Sequence, residues 1–212
     1  MLNPAAVNQT LISNEWDMYG GHGVLTFDGT VTEINGPLFA NGSALVSINM
    51  SNKVTTIGME AFVECEELQE INLSDNVSSI GSLAFANCRS LGEIKLPSSL
   101  REIGVQAFFY SSLVSLELPD GLLTIGANAF AACDNLEEVT IPTSVGSFGR
   151  AAFIGCGSLK EFKGDYASND GRYLIFNNEV VAFAPAGLTS ATMPSGVTRV
   201  SFGAFDYCDK LE

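Results

Sequence analysis

Basic residues are scarce in this sequence. Ten Lys and Arg stand against 24 Asp and Glu, with one His and one Trp, and the formal net charge is −14. An acidic surface of that size repels phosphate backbones and anionic lipid headgroups, which argues against nucleic acid and membrane surfaces as partners. Long apolar runs are missing too: none approaches the roughly eighteen residues that span a bilayer, so no membrane insertion is expected in this segment. With His22 as the single histidine, any Ser-His-Asp or Cys-His centre would have to use it, and nothing nearby organises such a site. The glycines of Gly20-Gly21-His22-Gly23 lack the strand-then-helix context of a phosphate loop. Met1 to Thr10 has neither a basic region nor a hydrophobic core, so no export signal is visible there. No catalytic residue, cofactor or metal-ligand set is assigned, and an enzyme is not expected.

What the chain does have is a hydrophobic content of 46%, 21 Gly and 14 Phe, a bias that marks a repeating unit. Ile-Gly occurs at Ile57-Gly58, Ile80-Gly81, Ile103-Gly104 and Ile125-Gly126, with Phe148-Gly149 in the same slot. Ala-Phe follows each at Ala61-Phe62, Ala84-Phe85, Ala107-Phe108, Ala129-Phe130 and Ala152-Phe153, in steps of 23, 23, 22 and 23 residues. Leu38-Phe39 extends the series backwards by 23 residues, and Ala204-Phe205 continues it after a longer gap.

Within a unit, Leu68 to Leu73 alternates apolar and polar, the period-two mark of a strand with one buried face. Its equivalents at Leu45–Met50, Leu91–Leu96, Leu113–Leu118 and Leu136–Ile141 recur once per coil, which predicts parallel pairing about 4.8 Å apart. About eight such rungs are expected, from Leu25–Phe27 to Ala191–Met193, wound right-handed. Pro97, Pro119, Pro142 and Pro194 follow the strands, where a missing N–H costs no ladder bond. Val54 to Gly58 is expected to form a second short extended segment, and Ala61 to Cys65 one helical or 3₁₀ turn. Each Phe of the Ala-Phe pair should stack on the Phe of the next coil. Cys65, Cys88, Cys133, Cys156 and Cys208 share one slot, filled by Ser111 in a sixth coil. The slot reads as a small side chain packed inside each coil rather than a disulfide or metal set.

The pattern V-x-x-I-G-x-x-A-F-x-x-C-x-x-L-x-x-I-x-L-P resembles the BspA-like leucine-rich-repeat family over about residues 23 to 211. The resemblance implies a leucine-rich-repeat solenoid. It also implies a secreted or cell-surface bacterial protein, with adhesive or host-contact roles.

Residues 1–22 are expected to cap the first coil, with Trp16 and Tyr19 contributing and His22 in a packing or capping role. Residues 23–211 then form about 7 coils of 23-residue period, interrupted near 165–187. There Asp170 to Phe183 reads as a β-hairpin around Asn177-Asn178, replacing the Ile-Gly and Ala-Phe half of its coil. The sequence stops partway through a repeat at Asp209-Lys210-Leu211, which predicts that the native protein continues. Leu211-Glu212 matches a common junction to a purification tag.

Side chains pointing away from the core fall into two columns. One is Ser47, Glu70, Glu93, Ser115, Glu138 and Glu161; the other is Asn49, Asn72, Lys95, Glu117, Thr140 and Lys163. From them the candidate binding face is Glu70, Asn72, Glu93, Lys95, Glu117, Glu138, Thr140, Glu161 and Lys163, offered to a protein partner of a host or neighbouring cell. The alternatives are a carbohydrate-binding or substrate-capturing accessory module, disfavoured because the columns hold no aromatic residue, and a plain structural spacer.

Overall fold

The computed structural model describes residues 31–212, together with the backbone of two earlier strands, β1 (Leu11–Asp17) and β2 (His22–Phe27). These two pair antiparallel, with Leu25 opposite Asn14 and Phe27 opposite Leu11. The parallel rung expected at Leu25–Phe27 is therefore half of a hairpin. Alternation of apolar residues marks a strand but carries no information on its partner's direction. The side chains of Trp16, Tyr19 and His22, read as a cap, lie outside the described residues.

From residue 31 the chain winds as a β-solenoid that lays down two parallel ladders. One is continuous. Its strands are β3 (Glu33–Ile34), β5 (Thr56–Ile57), β7 (Ser79–Ile80), β8 (Glu102–Ile103), β10 (Thr124–Ile125) and β12 (Ser147–Phe148), hydrogen-bonded in that order. These are the segments read from the sequence as secondary. The other ladder, built from the alternating segments, is split. Strands β4 (Ser47–Asn49) and β6 (Glu70–Asn72) form one block, and β9 (Ser115–Glu117), β11 (Glu138–Thr140) and β13 (Glu161–Lys163) form another. Glu93 to Lys95, between them, is not a strand. Met50, Leu118 and Ile141 each donate their amide to the next coil, to Asn72, Thr140 and Lys163, but the equivalent bonds from Leu73 and Leu96 are not formed.

The glycine of Ile-Gly explains how closely the continuous ladder packs. Its amide donates to the carbonyl of the preceding coil, as from Gly104 to Ile80 at 2.8 Å. A Cβ on Gly104 would lie 2.6 Å from the backbone of Gly81 and Ser82, and one on Gly126 2.5 Å from Gly104. Any side chain there would push the coils apart.

Between Ile-Gly and Cys the chain makes hydrogen-bonded turns rather than the expected helical or 3₁₀ turn. Two residues per coil are left-handed, for example Glu60 (φ 59°) and Glu64 (φ 59°), then Leu83 (φ 58°) and Asn87 (φ 60°). Their effect is to turn alternate amides outward along the stack: Glu60, Phe62 and Glu64 donate to Ser82, Ala84 and Ala86 of the next coil. A helical turn would spend those donors inside its own coil, leaving nothing to bind its neighbour.

The core follows from this stacking. Phe39, Phe62, Phe85, Phe108, Phe130 and Phe153 form an unbroken row of parallel rings, with centroids 4.9 to 5.3 Å apart. Around them Val54, Leu68, Leu91, Leu113, Leu136 and Leu159 are buried. The cysteine slot does more than fill space. Four of the five thiols donate to the carbonyl of the Phe one coil earlier: Cys65 to Phe39, Cys88 to Phe62, Cys133 to Phe108 and Cys156 to Phe130, at 3.1 to 3.2 Å. Cys208, expected to pack inside its coil like the others, is only half-buried and lies 3.9 Å from the Asp206 carbonyl in its own turn. Ser111 makes the same bond to Phe85 at 2.8 Å, which explains how a hydroxyl can stand in the column.

The ring row ends at Phe153, which meets Phe162 edge-on at 5.5 Å. Beyond it strands β14 (Tyr173–Phe176) and β15 (Glu179–Phe183) form the expected hairpin, turning through Asn177 and Asn178, both at positive φ. The parallel stack resumes on the hairpin itself, because β15 pairs with β16 (Arg199–Val200). Ala191 to Met193, expected to be a rung, is exposed and forms no strand. The hairpin also keeps an aromatic in the stack, since Phe183 lies 4.9 Å from Phe205 in a second, smaller core with Tyr173 and Val180.

Candidate binding face

The split ladder sets the registers of the exposed columns. Ser47 faces Glu70 and Asn49 faces Asn72 in the first block; Ser115, Glu138 and Glu161 align in the second, as do Glu117, Thr140 and Lys163. Both columns thus run as the period-two pattern requires, except that Glu93 and Lys95 stand in the gap between blocks. There Ile94 is only half-buried, whereas Ile71 and Leu116 on either side are 5% and 3% exposed.

Charge on this face is unevenly balanced. Lys163 reaches Glu138 at 2.7 Å and Glu161 at 3.4 Å, so one cation serves both carboxylates. The hydrogen bond to Glu138, then that to Glu161, pushes the Lys163 ammonium above its ordinary pKa. Beside them Lys160 pairs with Glu137 at 2.7 Å. In the first block an amide rather than a cation meets the carboxylate: Asn72 donates to Asn49 at 2.6 Å and to Glu70 at 2.8 Å. Glu70, Glu93 and Glu117 have no ion-pair partner among the described residues. Stacked like charges are thus neutralised at one end of the face and left facing solvent towards the other.

Two exposed residues of the coil that leads into β9 stand outside the columns. Tyr110 is 45% exposed and Val114, directly before β9, is also 45% exposed. The Arg89 guanidinium lies 5.8 Å from the centre of the Tyr110 ring, and Phe109 meets that ring edge-on at 5.0 Å. The signal that could have found them is the 22-residue step between Phe108 and Phe130, together with two aromatic residues after an Ala-Phe pair.

Burial pushes the Cys65 thiol up to about 11 and the Cys156 thiol up to about 12, and raises those of Cys88 and Cys133 as well. Among the described residues, no three His, Cys, Asp or Glu side chains gather in a way that could hold a metal ion. A cavity lined by Phe153, Phe183 and Tyr207 measures about 10 Å³, room for about one water. No described helix is long and apolar enough to cross a membrane.

Solved structures that resemble the chain include three bacterial leucine-rich proteins. A leucine-rich repeat protein from Bacteroides ovatus is 25% identical, with a TM-score of 0.69, and covers 90% of this chain and 59% of its own. The leucine-rich repeat protein of T. pallidum is 26% identical, with a TM-score of 0.57, over 69% of this chain and 87% of that one. A leucine-rich cell surface protein from Faecalibacterium prausnitzii is 25% identical, with a TM-score of 0.51, over 85% of this chain and 56% of that one. The chain therefore spans less than two thirds of the Bacteroides and Faecalibacterium proteins. Comparison with curated proteins returned no match. The family model described as BspA type leucine-rich repeat region matches residues 32–160 and 92–212, in six copies. With the repeat matched from residue 32 to residue 212, the chain belongs to the BspA-type leucine-rich repeat family.

Proposed function

We propose that this chain is a non-enzymatic binding module, part of a secreted or surface-anchored bacterial protein, that offers its split-ladder face to a protein partner in adhesion or host contact. The observation that carries the reading is the register of that face: acidic and amide side chains repeat along a backbone fixed by coil-to-coil hydrogen bonds. A rigid surface loses little conformational entropy when it is covered. Exposed carboxylates set association rate and partner choice, so such a complex weakens with salt. The surface location draws on the family and on the Faecalibacterium relative, which is described as a cell surface protein.

The test is a binding screen of the immobilised chain against purified host extracellular proteins, repeated with Glu70, Glu93, Glu138 and Glu161 changed to Gln. A partner that loses affinity with the glutamines, and with rising salt, supports the reading. A partner bound equally by both forms at low and high salt rejects the acidic face, and the hairpin at Tyr173–Phe183 becomes the next surface to examine. A second reading, a carbohydrate-binding accessory module, draws on the exposed Tyr110 ring, because aromatic rings stack on sugar faces.

A further inference from the structure

The turn amides tie each coil to the next with a fixed polarity. In four successive turns, from 60–64 to 128–132, three alternate amides donate forward to carbonyls of the following turn. In the last of these Asn128, Phe130 and Ala132 donate to Arg150, Ala152 and Ile154 at 2.7 to 3.0 Å. There the row stops. The amides of Ala151, Phe153 and Gly155 hold the same places one coil on, with Ala151 and Gly155 left-handed as the pattern requires (φ 54° and 76°). None of the three has an acceptor among the described residues. Ala151 and Phe153 are 4% and 3% exposed, and a buried amide is costly to leave unpaired.

The next coil explains the missing acceptors. It leaves β15 at Phe183 and runs on through Ala184 and Pro185 without a turn of this kind. The turn after that, at 202–208, therefore stands opposite. Its carbonyls at Phe202, Ala204 and Asp206 hold the places of Arg150, Ala152 and Ile154, and none accepts a backbone amide among the described residues. Two turns thus face each other, one with a row of free donors and the other with a row of free acceptors. They touch at Gly203, where a Cβ would lie 3.0 Å from the Ala151 Cβ and 3.1 Å from the Ile154 Cδ1. Beside that contact the cavity of about 10 Å³ separates Phe153 and Cys156 from Ala204 and Cys208, with Phe183 also lining it.

We infer that this seam is a docking slot for one segment of a partner's main chain, which enters as the turn that the intervening coil lacks. Alternate carbonyls of the segment accept from Ala151, Phe153 and Gly155, and its alternate amides donate to Phe202, Ala204 and Asp206. The interface so formed continues the coil-to-coil ladder through the gap, in the manner of a strand added to an open edge. Its inward side chains are small (Gly, Ala or Ser), because Phe183 already fills the ring place and stacks on Phe205 at 4.9 Å. The cavity is water-sized, so entry moves the last coil outward. That coil is held by a separate, smaller core, Ala204 with Tyr173, Val180 and Phe183, so the seam can widen without opening the main one. The slot is distinct from the split-ladder face and stands whether or not that face binds a partner.

The experiment reads amide hydrogen exchange of the intact chain by NMR, free and with a synthetic peptide. The probe is the segment 127–133 of this chain, capped at both ends and carrying Phe130→Ala and Cys133→Ser. In the free chain the Ala151, Phe153 and Gly155 amides are expected to exchange at least about tenfold faster than those of Asn128, Phe130 and Ala132. The peptide at about millimolar concentration is expected to slow the first three roughly tenfold or more and leave the second three unchanged. The same peptide N-methylated at its second, fourth and sixth residues, which removes the amides aimed at Phe202, Ala204 and Asp206, should give no protection. The pair Glu138→Gln/Glu161→Gln should change the protection less than about twofold, which separates the slot from the acidic face. Slow exchange at Ala151, Phe153 and Gly155 in the free chain means that the two turns already pair, and overturns the slot. Fast exchange that the peptide does not slow overturns the main-chain partner. Equal protection by the N-methylated peptide overturns the ladder geometry.

Discussion

Gly104 sits where one coil's backbone presses on the last. Replacing it by Ala puts a methyl group 2.6 Å from main-chain atoms that have nowhere to retreat, and is expected to cost about 1–3 kcal/mol or more in urea unfolding. Gly92→Ala meets only open space and should stay within about 0.5 kcal/mol of the parent. The thiols give a pH signature. Cys65 and Cys156, at about 11 and about 12 in the fold against 9.0 when unperturbed, favour the protonated state in the folded chain. Their contribution is complete below pH 9 and is lost as pH rises through 11 to 12, so urea midpoints should fall across that window. A thiol reagent near neutral pH should leave Cys65, Cys88, Cys133 and Cys156 untouched, whereas half-buried Cys208 should react first. Sequence showed the cysteine column plainly, because identical residues recur at one spacing. It did not show that four of the five thiols donate to a carbonyl one coil back; only Ser111 in the same slot hinted at a hydrogen bond.

Among elements, the coil is held by two devices that differ in their mark on the sequence. The ring row is explicit in Ala-Phe, and Phe85→Ala should cost about 3–5 kcal/mol by opening a ring-sized cavity, against about 1 kcal/mol for Cys88→Ala. The left-handed turns are almost silent, because Glu60, Leu83, Gln106 and Ala151 hold positive φ in a slot no composition rule would pick. Stacking imposes that conformation, since each such coil needs its alternate amides aimed at its neighbour. Alternation revealed which side chains face out, and the registers agree, but it did not show that Glu93 to Lys95 would drop out of the ladder. The hairpin was legible because Asn-Asn between two β-rich runs has one economical geometry. Asn178→Val, at φ 60°, should weaken it by about 1–2 kcal/mol, read as faster amide exchange at Val180 and Val181 than in the parent.

Across the whole molecule, coils that touch only their neighbours make a one-dimensional stack, in which every rung adds surface at constant geometry. A net charge of −14 keeps that surface solvated and gives it a long-range preference for cationic partners. Fold and family were legible because seven coils repeat the same inward-facing residues. The site was only partly so, since a binding surface is written in the outward positions, where coils differ and no repeat amplifies the signal. Tyr110 illustrates this, being exposed yet outside both strand columns. The direct test of surface presentation is amide hydrogen exchange of the chain with and without a captured partner. Protection is expected in the outward-facing rungs of consecutive coils, at Glu70–Asn72, Glu93–Lys95, Ser115–Glu117 and Glu138–Thr140, with the Thr56–Ile57, Ser79–Ile80 and Glu102–Ile103 series unchanged. Protection confined to that second series, or to the hairpin at Tyr173–Phe183, would contradict it.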